Sequence, residues 1–310
     1  MNETTVLLSV GDFQLTAYSL LLAMGSLLAI LLTACLGKKR IGVDASLSLC
    51  LAVLPGAVIG ARLVYCATMI ESILVDFDGL SFIPRIWEGG FTLYGAILGG
   101  MISALIYAHA THRKIVPMLD LLAPGSALVL CVARAAEYFT SQGLGDYIED
   151  EAFQRFPFAV EANGSWQMPV FIYEAVAAAI ILVVVLCLLQ QNRETGRTAE
   201  VFLVLLSLSQ IILESWREDE FIRFGFVRWN QIAAAITLTT VLVLRLIRKG
   251  RPREKSRKIW TIMRVVLYLV GVTMIILIEF ALDKSSIENT LLYGVMAGTL
   301  VVMGVAMLKD

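Results

Sequence analysis

Nine runs of mostly apolar residues leave this chain one class of fold. A hydrocarbon layer about 30 Å thick is crossed by about 20 residues of helix. Nothing inside it can solvate an open backbone, so each run must close its own hydrogen bonds. The spans read as 15–36, 47–69, 91–111, 119–138, 169–189, 199–216, 229–247, 262–281 and 291–308. Composition agrees, since 58% of the 310 residues are hydrophobic and 16% are charged. Soluble domains carry about 45–50% and about 25%. The fold class is therefore an all-α polytopic membrane protein.

Basic residues orient it. Lys38, Lys39 and Arg40 follow the first span, Arg113 and Lys114 the third, Arg193 and Arg197 the fifth. Arg245, Arg248, Lys249, Arg251, Arg253, Lys255, Arg257 and Lys258 cluster after the seventh. All fall on one side, which is read as the cytoplasm, with the N-terminus outside and the C-terminus inside. The net charge of −1 hides this asymmetry and by itself names no partner. The flank before the first span holds Glu3 and Asp12 and no Lys or Arg, so that span is expected to be retained rather than cleaved as a signal. The basic run around Pro252 is the clearest shift in composition. It divides a core over 1–248 from a cytoplasmic linker over 249–261 and a C-terminal hairpin over 262–310, with Glu279 and Asp283 at the hairpin's outer turn.

The chemistry concentrates around Arg134 and Glu137, three residues apart on one helical face and followed by Gly143 and Gly145. Charges at membrane depth cost at least a few kcal/mol each, so they must face a protein interior or a wet cavity. Glu174, Glu214, Arg217 and Arg62 sit at comparable depth in other spans. Arg62 either snorkels to the interface or faces inward. Tyr18, near the outer end of the first span, reads first as an interfacial belt tyrosine. Trp87 to Gly100 carries five glycines at a helix entry, suited to tight packing or to lining a ligand, with Tyr94 near the depth of Arg134. Two outer arms are expected, near 70–90 and 139–168; the second contains an Asn163-Gly164-Ser165 triplet, discounted as a glycosylation site.

The five cysteines lie within spans without a CxxC pair and read as small apolar side chains. The two histidines, His109 and His112, stand at the cytoplasmic end of the third span, so the outer half has no histidine base. No metal-ligand cluster is present, no cofactor is expected, and no nucleic acid is expected as a partner. Arginine presents a planar fork that matches phosphate oxygens. Phosphate in the outer leaflet means a phospholipid headgroup, which favours lipid handling over ion conduction.

In chain order, Tyr18, Gly60-Ala61-Arg62, Trp87-Glu88-Gly89-Gly90, Tyr94-Gly95, Arg134 with Gly145, Tyr173-Glu174, Glu214 to Arg217 and Gln231 resemble the prolipoprotein diacylglyceryl transferase family of bacterial inner membranes. The resemblance covers about residues 10–248, a seven-helix core, and leaves the last two spans as an addition. It implies transfer of the diacylglyceryl group of phosphatidylglycerol to the lipobox cysteine thiol of a prolipoprotein, with release of glycerol phosphate. Arg134 and Arg217 would hold the phosphate and offset charge on the leaving group. Glu137 and Tyr94 are the candidate proton acceptors; Arg62, Tyr18, Gln142, Gly145, Tyr173 and Glu174 are the candidate substrate-binding residues. The substrate brings its own thiol, and the signal-peptide region around it is the expected protein partner.

Three positions depart from the family pattern. Glu137 replaces an asparagine, Gln142 a glutamate, and Tyr94 a histidine. A carboxylate beside Arg134 competes with phosphate for the same cation, and Gln142 cannot act as a base. A second class of function follows from these changes: a non-catalytic or repurposed phospholipid-binding or transport protein on the same scaffold.

Overall fold

Ten α-helices and three two-stranded β-hairpins make up the described residues of the computed structural model, which are 5–10, 13–75, 79–140, 142–162, 164–191, 195–218, 223–224, 227–249, 255–284 and 289–308. Asp76, Asp78, Asn163, Arg193, Asp219, Glu220, Arg251, Pro252 and Arg253 lie outside them. Nine of the helices are long and apolar enough to cross a membrane. The chain is a multi-pass membrane protein. It forms two units, Met1–Ala199 and Glu200–Asp310.

The first unit begins with strands β1 (Val6–Val10) and β2 (Phe13–Thr16), an antiparallel pair. It continues through α1 (Ala17–Gly37), α2 (Val43–Thr68), the short α3 (Ile70–Val75), α4 (Leu93–Ala110) and α5 (Ile115–Ala136). The hairpin β3 (Val160–Ala162) and β4 (Ser165–Gln167) precedes α6 (Val170–Gln190). Capping sets the helix starts. Thr16 and Ser19 bond each other's backbone N–H in a capping box at α1. At α4, Thr92 accepts from the Gly95 N–H at 3.2 Å, while its own N–H donates to the Ala61 carbonyl of α2.

Helix α2 packs along α4, α1 along α5, and α5 along α6. Small residues let the first pair close: a Cβ on Gly60 would stand 2.5 Å from the Gly95 carbonyl oxygen and 2.7 Å from the Gly99 Cα. The outer faces stay apolar, with Leu51, Ile106 and Val183 exposed as hydrocarbon contact requires. Asp120, buried in α5, accepts from the backbone N–H groups of Gly196 at 2.5 Å and Ala199 at 2.9 Å. It thereby caps α7 (Arg197–Ser215), a role complementary to the helix dipole.

The second unit contains most of α7, the pair β5 (Arg223–Phe224) and β6 (Val227–Arg228), and helices α8 (Trp229–Lys249), α9 (Lys255–Lys284) and α10 (Asn289–Leu308). Glu200 and Arg245 pair at 3.0 Å between α7 and α8. The Tyr268 hydroxyl meets Thr239 Oγ1 at 2.5 Å, joining α9 to α8. Helix α9 begins at Lys255, inside the segment read as a linker. The N-terminal flank, for which no element was expected, pairs as the β1–β2 hairpin.

Candidate functional site

Helix α5 stops at Ala136, and a single 3₁₀ turn over Glu137–Phe139 carries the chain away from the span. Thr140 stabilises that turn, its N–H and hydroxyl both donating to the Glu137 carbonyl at 2.9 Å. The backbone then bends through Gly143 at φ 74°. There a Cβ would collide with the Glu137 carboxylate and with Phe171, so only glycine passes. The Phe171 N–H donates to the Gly143 carbonyl at 2.9 Å, and the Gly145 N–H to the Met168 carbonyl at 2.8 Å. These bonds stitch the end of α5 to the start of α6, one turn from Glu174.

Arg134 consequently lies between two carboxylates. Its Nη1 is 2.5 Å from Glu137 Oε1, and its Nε is 3.4 Å from Glu174 Oε2. The side chains are 11%, 7% and 0% exposed respectively, so the triad is nearly out of solvent. Buried charge of this kind persists only when paired. Tyr94 is buried in the first turn of α4. Tyr173 is half-buried and donates to the Pro157 carbonyl at 3.3 Å, and Tyr18 is half-buried at the second position of α1. Gln142 is exposed, its N–H donating to Thr140 Oγ1 at 3.2 Å, and Gly145 is buried.

Arg62 faces inward, at 2% exposure. Its Nε donates to the Ile83 carbonyl at 3.1 Å, and its Nη2 to those of Phe82 at 2.7 Å and Arg85 at 3.0 Å. Its Nη1 meets the carbonyls of Gly89 and Gly90. The guanidinium also lies 4.4 Å from the Phe82 ring centroid. Five backbone carbonyls thus use the whole fork, and the side chain holds the 79–90 arm in shape. Backbone acceptors occur at every residue, so no sequence signal singles out this set.

The second unit carries its own buried polar cluster at the end of α7. Glu214, Arg217, Arg228 and Gln231 are all buried. Arg228 Nη2 donates to the Arg217 carbonyl, and its Nη1 lies 4.0 Å from Glu214 Oε1. Asn230 Nδ2 donates to Glu214 Oε2 at 3.0 Å. Arg228 and Asn230 gave no signal beyond their place at a span's start. Glu279, read as part of a turn, is instead buried and accepts from Gln231 Nε2 at 2.7 Å. Asp120 was legible as an ionisable residue inside a span, the cue it shares with Arg134.

The sequence model of the family described as prolipoprotein diacylglyceryl transferase matches residues 5–248. This chain belongs to that family. Among curated relatives, the phosphatidylglycerol–prolipoprotein diacylglyceryl transferase 1 of Clostridium perfringens is 26% identical over 260 residues, covering 81% of this chain and 97% of that protein. The enzyme of the same name from Lactobacillus delbrueckii subsp. bulgaricus is 27% identical over 264 residues, covering 80% and 91%. That from Oceanobacillus iheyensis is 25% identical over 265 residues, covering 81% and 90%. As a diacylglyceryl transferase family member, the chain carries Arg134 and Arg217 within the matched region, and α9 and α10 beyond it.

Proposed function

We propose that this protein transfers the diacylglyceryl group of phosphatidylglycerol to the cysteine thiol of a prolipoprotein. The sulfur forms a bond to the glyceryl carbon, the bond from that carbon to the phosphate oxygen breaks, and glycerol phosphate leaves with the negative charge. The thiol proton passes to a base. The acceptor is the lipobox cysteine at the signal-peptide region of the precursor, and the reaction runs at the outer face of a bacterial inner membrane. The 1–248 core carries the reaction and the segment after it is an addition.

The observation that carries this reading is a buried arginine, Arg134, held between Glu137 and Glu174 inside a family match over 5–248. Arg134 and Arg217 offset charge on the phosphate as it departs. Glu137 and Tyr94 are the two groups proposed to take the thiol proton. Gln142, Gly145, Tyr18, Tyr173 and Glu174 shape the substrate site, and Arg62 contributes by holding the arm that borders it.

The test is transfer of labelled diacylglycerol from phosphatidylglycerol to a synthetic lipobox peptide by purified protein, with Arg134→Gln alongside. Transfer that disappears in the variant supports the reading; transfer unchanged in the variant removes Arg134 from the site. Phosphatidylglycerol bound by the intact protein without any transfer would identify a repurposed lipid-binding relative instead.

A further inference from the structure

The C-terminal hairpin lies beyond the family match, yet it reaches the polar cluster at the end of α7 from both of its helices. From α9, Glu279 is buried at 7% exposure with its Oε1 2.7 Å from Gln231 Nε2. The Ser215 side chain faces the same carboxylate, within the field of Arg228. From α10, the Tyr293 ring packs edge-on against Trp216 with centroids 5.8 Å apart. Gly304, further along α10, closes on Leu208 of α7. Ser215 and Trp216, the two residues before Arg217, are therefore both met by the hairpin.

The contacts form a chain. Gln231 Nε2 donates to Glu279 and also to the Ile211 carbonyl at 3.1 Å, while its Oε1 accepts the Arg228 backbone N–H at 3.0 Å. Both amide hydrogens and the amide oxygen are engaged, which sets the side chain's orientation. Arg228 in turn donates to the Arg217 carbonyl. A carboxylate placed among apolar spans is costly unless partnered, and an apolar residue would serve a hairpin that only packed.

We propose that Glu279 is a positioning residue for the reaction, acting through Gln231 and Arg228 on the segment that carries Arg217, so that the added hairpin is a working part of the enzyme. The inference rests on the transfer reading above. Its test uses full-length protein and the variants Glu279→Ala, Gln231→Ala and the double substitution, with kcat counted per folded molecule. Glu279→Ala lowers kcat by about tenfold, the scale set by a lost hydrogen bond to a charged group, while half-saturation by phosphatidylglycerol stays constant. The double variant loses no more than the worse single one, because both break the same chain. A parent-like kcat in Glu279→Ala, or losses that multiply in the double variant, overturns the inference. Should the alanine variant not fold, Glu279→Asp makes the same comparison, keeping the charge and withdrawing the oxygen from Gln231. Hydrogen exchange at the Arg228 amide supplies a readout without turnover, and it accelerates in the variant. If the parent transfers nothing, the transferase reading fails and that amide alone decides: unchanged exchange overturns the positioning role.

Discussion

Replacing Glu137 with asparagine, the residue of the family pattern, tests how this site manages its charge. One guanidinium faces two carboxylates here, at 2.5 and 3.4 Å, so one positive and two negative charges leave the triad formally anionic. A phosphate arriving at Arg134 is attracted by one charge and repelled by two. At a separation of about 6 Å and an effective dielectric of about 20, each carboxylate opposes it by about 3 kcal/mol. Halving that for water accompanying the headgroup leaves about 1.4 kcal/mol, or tenfold in affinity. Arg134 keeps Glu174 as its ion-pair partner and the asparagine oxygen as an acceptor, so the fold survives the change. Glu137→Asn should therefore lower the half-saturating phosphatidylglycerol concentration by about tenfold in the lipobox-peptide transfer assay. A half-saturation that stays constant or rises refutes the competition argument. The same experiment separates the two proton acceptors: a kcat reduced by about 10²–10⁴ assigns the proton to Glu137, and an unchanged kcat assigns it to Tyr94.

Two further substitutions probe the scaffold. Arg62→Lys leaves three donors for five carbonyls, at a cost of about 2–4 kcal/mol in unsatisfied acceptors and lost packing. Hydrogen exchange or limited proteolysis should loosen 79–90 selectively, and an arm as protected as in the parent would refute the carbonyl-cage role. Gly60→Ala should destabilise the α2–α4 contact by about 1–3 kcal/mol, because its Cβ meets backbone 2.5 Å away. Gly100→Ala, whose nearest neighbour is a valine methyl at 3.4 Å, should cost far less. Thermal unfolding in detergent distinguishes them, and equal shifts would contradict the packing argument.

The spans were legible because the membrane taxes each residue locally. Runs such as Leu20 to Cys35 admit one conformation whatever surrounds them. Boundaries were less legible where polar residues continue a helix, as at Lys255, or where a short apolar run outside the spans pairs as a strand, as at Val6–Val10. Arg134, Glu137 and Glu174 were each visible as charges in the wrong solvent.

What the sequence by itself determined was that Arg134, Glu137 and Glu174 must find partners, since burying any of them without one costs several kcal/mol in any arrangement. Which partner each takes was decided only by the tertiary structure. Arg134 and Glu174 are forty residues apart and meet because Gly143 and Gly145 tie α5 to α6. Arg62 is held by anonymous carbonyls, and Glu279 by a glutamine forty-eight positions away. The cost of a buried charge is a property of one side chain and its depth. Its relief is a property of how closely two backbones approach, and that closeness is set by packing across helices.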